Sequence, residues 1–151
     1  MASPRHLVAA CMAAVAVAAA ASPDAARARV HYLHHCSGCH LADGSGSPAK
    51  GIPSMRGVLG QFLKVPGGRE FIVQVPGVMN SPLADRDIAN LMNWLLPALA
   101  ADTLPTAAPP YTADEIAKLR QTRPADVMAV RAALMQRMRE AGIAEKAALP
   151  D

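Results

Sequence analysis

The chain has 151 residues, 52% of them hydrophobic and 18% charged, with a net charge of +3. That length suits one domain with an appendage, and its basic residues are scattered rather than interleaved with aromatics, which excludes a nucleic-acid surface. Two Phe, two Tyr and one Trp are few for a core, so other apolar mass must fill it.

Residues 1–28 read as a secretory leader. Arg5 stands in a short basic region, and Leu7–Ala21 is an apolar run too short for the roughly 20 residues that span a bilayer. Ala26-Arg27-Ala28 is a small-x-small triplet, which places the cut after Ala28. An uncleaved anchor helix is the alternative. Val8-Ala9-Ala10-Cys11 lies too early to be a lipoprotein box, so Cys11 leaves with the leader and only Cys36 and Cys39 remain. No later stretch is long and apolar enough to span a membrane.

Val30–His40 is expected as a short helix. Leu41–Gly57 is a loop, broken by Gly44, Gly46, Pro48, Gly51, Pro53 and Gly57. Val58–Lys64 suits a helical turn or two, and Arg69–Val75 a short helix or extended piece. The clearest helix is Asp85–Leu96. Ile88, Leu91, Met92, Leu95 and Leu99 fall on one stripe, Asp85 and Asp87 suit the first turn, and Pro97 ends or kinks it. Residues 100–111 form a Pro/Ala-rich linker. Thr112-Ala-Asp-Glu115 is a capping box that opens a helix to about Gln121. Pro124 and Gly142 bracket another, with Val127, Val130, Leu134, Met135 and Met138 on its apolar face. The pattern is all-α: leader 1–28, domain 29–99, linker 100–111 and helical tail 112–151. The tail either wraps the domain or binds a partner.

The chemistry concentrates in "HYLHHCSGCHLADGSG", His31–Gly46. A structural zinc site needs four protein ligands, and after His40 the chain has no further His or Cys. A thioredoxin-like dithiol needs a strand before the motif and a helix after it, whereas here a helix precedes the motif and a glycine-rich loop comes after it. Haem attachment uses all three residues. The sulfurs of Cys36 and Cys39 add to two haem vinyl groups as thioethers, and His40 ligates the iron. Cysteines three apart on a helical turn reach both vinyls along one haem edge.

With these residues in view, the chain resembles the class I c-type cytochromes over roughly Arg29–Leu99. Cys36-Ser-Gly-Cys39-His40 lies near the processed N-terminus, with Tyr32 one helical turn earlier. The Asp43-Gly44-Ser45-Gly46 loop, Ile52-Pro53-Ser54-Met55 and a late amphipathic helix bearing Trp94 come next, in the family's order. The resemblance implies a cytochrome c-like all-α fold of about three to four short helices around one covalently attached haem c. It also implies that the Pro53 carbonyl orients His40, that Met55 packs on the proximal side, and that Met79 is the second axial ligand. The family commonly follows that methionine with proline, whereas here Asn80 follows Met79 and Val75-Pro76-Gly77 precedes it. His31, His34 and His35 lie on the proximal helix and are expected at the surface or haem edge, and Met92 in the core. Arg69, Lys64, Arg56 and the Trp94 N–H are candidate donors to the haem propionates.

The expected function is single-electron transfer in the periplasm between a dehydrogenase or respiratory complex and an acceptor, through weak complexes with redox proteins. No enzymatic activity, nucleic-acid partner or stable membrane insertion after leader removal is expected; an uncut leader would tether the protein to the membrane. The alternatives are a haem subunit of a larger assembly, or a ligand-binding or sensing haem protein with an open sixth position.

Overall fold

The computed structural model describes residues 23–143, so most of the leader and residues 144–151 of the tail lie outside it. Among the described residues the fold is all-α. Its helices are α1 (Pro23–His35), α2 (Ser37–His40), α3 (Leu59–Phe62), α4 (Gly68–Gln74), α5 (Pro76–Met79), α6 (Asp85–Ala100), α7 (Ala113–Leu119) and α8 (Val127–Glu140). Short 3-10 turns occupy Pro48–Lys50 and Ala101–Thr103.

α1 is described from Pro23 onward, with Asp24 near that end. The helix therefore begins earlier than Val30 and runs unbroken across the Ala28–Arg29 bond. Cys36 leaves helical geometry at φ −123°, and the chain resumes at once in α2. Cys36 N–H donates to the Tyr32 carbonyl at 2.9 Å and His40 N–H to the Cys36 carbonyl at 3.0 Å, so the motif stays in register with α1.

α1 packs against α6. Tyr32 is buried there with Leu91 and Leu95, and its ring lies 5.8 Å from that of Trp94. α6 continues through Pro97 to Ala100. Pro97 is exposed and in the last turn, where a missing N–H costs a single helical bond.

The tail wraps the domain. Tyr111, Ile116, Leu134, Met135 and Met138 are buried in one cluster with Phe62, Phe71, Ile72, Ile88 and Met92. Polar contacts fix this arrangement. Arg69 holds Glu115 through a fork of 2.6 and 2.8 Å, donates to the Pro109 and Pro110 carbonyls, and lies 3.8 Å over the Tyr111 ring. Asn93 brackets the Tyr111 backbone with bonds of 2.9 and 2.7 Å. Tyr111 lies in the expected linker, yet it is a core residue. Thr112 caps α7 by accepting from Glu115 N–H, while the Glu115 carboxylate serves Arg69. α8 starts three residues after Pro124, capped by Asp126, and the chain turns at Gly142 with φ +67°.

Candidate functional site

The motif opens onto a cavity of about 430 Å³, within the range of small-molecule and cofactor sites. Cys36, Cys39 and His40 line one side of it, with His35 beside them. Ile52, Pro53 and Met55 come from the loop after the motif, and Phe62, Phe71 and Ile72 from α3 and α4. Leu91, Met92 and Leu95 supply the α6 wall, and Val75 to Val78 a wall along α5. Val127, Met128 and Arg131 of α8 complete the lining.

Local backbone chemistry sets the loop beneath the motif. Leu41 has φ +61°, and its carbonyl accepts the Tyr32 hydroxyl at 2.6 Å. Gly46 has φ +69°, and a Cβ there would lie 2.5 Å from the Pro53 carbonyl oxygen, so only glycine lets the chain pass this close. That approach brings Pro53 and Met55 back to the motif, and Met55 N–H donates to the Gly44 carbonyl at 2.8 Å.

The electrostatics distinguish the three chemistries. Burial, and then the neighbouring Cys39, push the Cys36 thiol up, the opposite of the lowered value a redox dithiol needs. Among the described residues no group of three or more His, Cys, Asp or Glu is placed to hold a bare metal ion. His40 is held below the usual histidine range, chiefly because burial disfavours the imidazolium, with the Pro53 carbonyl opposing. Its Nδ1 is buried without a full hydrogen bond, so it faces the Pro53 carbonyl but does not close on it. A neutral imidazole beside two thiols, at the edge of an apolar cavity, fits a covalently held haem.

The structure brings Cys36, Cys39 and His40 together. Met79 is half-buried at the end of α5, one residue beyond the wall formed by Val75 to Val78, and is not itself part of the lining. Of the crowded histidines, His35 lines the cavity, while His31 Nε2 faces Asp87 Oδ1 at 4.0 Å between α1 and α6. Arg69, Lys64, Arg56 and Trp94 are all absent from the lining. Arg69 is engaged with the tail, and Arg56 pairs with Asp43 at 3.1 Å. Among the described lining residues is also Arg131, whose guanidinium lies 5.9 Å over the Phe62 ring and which the sequence pattern does not single out. Its only sequence signal is a place one helical turn after Val127 on the α8 pattern.

No family model matches the chain. Its sequence is 31% identical over 116 residues to cytochrome c-552 of Thermus thermophilus, covering 64% of this chain and 88% of that protein. Cytochrome c-552 from a named strain of T. thermophilus shows the same identity, over 78% of its length.

Proposed function

This chain belongs to the c-type cytochromes, and we propose that it is an exported monohaem carrier that shuttles single electrons between redox proteins of the periplasm. When bound, haem c supplies a one-electron Fe(III)/Fe(II) couple. Cys36 and Cys39 would hold it through thioethers, and the His40 imidazole would ligate the iron. Met79 would supply a second ligand to the iron, from the element that also furnishes part of the Val75 to Val78 wall. The apolar cavity excludes water and keeps the couple rigid. Arg131 offers a guanidinium to a propionate, since a carboxylate beside apolar walls is costly unless paired. No described helix is long and apolar enough to cross a membrane.

The convergence of Cys36, Cys39 and His40 on one apolar cavity carries this reading. The optical spectrum tests it. Oxidised haem-loaded protein should show the weak near-infrared band of an iron–thioether bond, and Met79→Ala should abolish it. One observation favours a second reading, a haem protein with an open sixth position: Met79 stands outside the cavity lining. Absence of the band in the wild type, with ready carbon monoxide binding on reduction, would establish that alternative. A band that survives Met79→Ala would transfer the ligand role to one of the methionines that do line the cavity, Met55, Met92 or Met128.

A further inference from the structure

The turn that carries Met79 is weakly built by itself. α5 has four residues, and none of them is buried. A helix of one turn is marginal unless something outside it fixes it. Val75 before it is extended, at ψ 148°, and residues 81–84, which join it to α6, lie in no helix.

The anchors come from the tail, at the joint between α7 and α8. Arg120 Nη1 donates to the Leu83 carbonyl at 3.0 Å and to Asp85 Oδ1 at 2.8 Å, and its Nη2 donates to the Ser81 carbonyl at 2.8 Å. Arg123 donates to Asn80 Oδ1. On the other side of α5, Gln74 Nε2 donates to the Thr122 carbonyl at 2.6 Å and to Thr122 Oγ1 at 2.8 Å. Residues 120–123 thus grip the chain both before and after Met79.

We infer that Arg120 is a positioning residue for Met79, and that residues 120–123 form a latch across the turn that carries it. This rests on Met79 being the second ligand to the iron, as proposed above. Arg120 leads the latch because one planar fork serves two backbone carbonyls and a carboxylate, a geometry that a lysine ammonium cannot reproduce. Its side chain is only 23% exposed, so these bonds are largely shielded from water. Met79 stands one residue beyond the cavity wall, so its reach depends on where the turn is held. A thioether is an uncharged, soft ligand. How often it leaves the iron is therefore set by local opening of its loop, and the latch opposes that opening.

Carbon monoxide binding to the reduced, haem-loaded full chain tests this, together with the near-infrared band of the oxidised protein. Both are measured well below the melting transition. Arg120→Ala should speed carbon monoxide binding about tenfold, as expected from loss of charge-assisted hydrogen bonds, and weaken the band. Arg120→Lys keeps the charge but not the fork, and should move both readouts the same way. Glu115→Ala cuts the ion pair to Arg69 at the other end of α7; it should lower the melting temperature yet keep the wild-type rate and band. Gln74→Ala cuts the other side of the latch and should show a smaller rise. If Arg120→Ala yields no haem-loaded protein, Gln74→Ala and Arg120→Lys decide. Wild-type rates and band in the latch variants, or an equal rise in Glu115→Ala, overturn the latch and leave Met79 as the ligand. A wild type without the band, or a band that survives Met79→Ala, removes the ligand reading and the latch with it.

Discussion

Leu134→Ala tests whether the tail is a structural part of the haem domain. Leu134 lies on α8 and is 1% exposed, in one cluster with Phe62, Phe71 and Met92, which also line the cavity. Truncating a fully buried leucine costs about 2–5 kcal/mol, the lost transfer energy plus the cavity left behind. Rigid neighbours on α3 and α4 limit collapse into the space, so about 3 kcal/mol is expected. For a domain of this size each kcal/mol moves the midpoint by roughly 4 °C, giving a fall of about 12 °C. The assay is one thermal melt followed by far-ultraviolet circular dichroism and by haem absorbance. Both signals should shift together in a single transition. If haem absorbance kept its wild-type midpoint while a separate helical transition moved, the tail would be an independent module and the reasoning would be wrong.

Three other substitutions probe the packing, the titration and the cavity charge. A Cβ at Gly68 would lie 1.9 Å from the Phe62 carbonyl oxygen, a backbone atom that cannot swing aside; Gly68→Ala should cost about 3 kcal/mol or more and lower the yield of haem-loaded protein, measured by haem-to-protein absorbance ratio. Burial first, then the neighbouring Cys36 and Asp43, push the Tyr32 hydroxyl up to about 12. A raised tyrosine leaves stability intact below its ordinary value near 10 and loses it as pH rises through the folded value, so midpoints measured between those limits should fall, and Tyr32→Phe should flatten that alkaline limb. Arg131→Gln should lower the haem potential, because removing a positive charge at the cavity wall favours the oxidised iron; potentiometric titration giving an unchanged value would remove Arg131 from the propionate role.

The parts of this molecule that could be read in the sequence are the local ones. That Cys36, Cys39 and His40 come together could be read because the motif is a matter of a few adjacent residues. The α6 stripe declares itself because burial on one face leaves a 3.6-residue period. The hidden parts are long-range. Arg131 reaches a cavity built mostly from residues far earlier in the chain, and no spacing rule connects it to Cys36. Tyr111 sits in proline-rich surroundings that look like a tether, and only Asn93 and Arg69, from two other helices, make it a core residue. Glu115 matches a capping box, but a guanidinium at 2.6 Å outcompetes the backbone N–H for its carboxylate.

The lining residues Val127, Met128 and Arg131 also impose an order of assembly. The chain emerges from its N-terminus, so the attachment motif is exposed long before the last wall of its pocket exists. Until α8 has emerged and docked, the flank it will cover is open to incoming haem. A nascent chain therefore offers its thiols through a doorway that the finished molecule closes with its own C-terminal quarter.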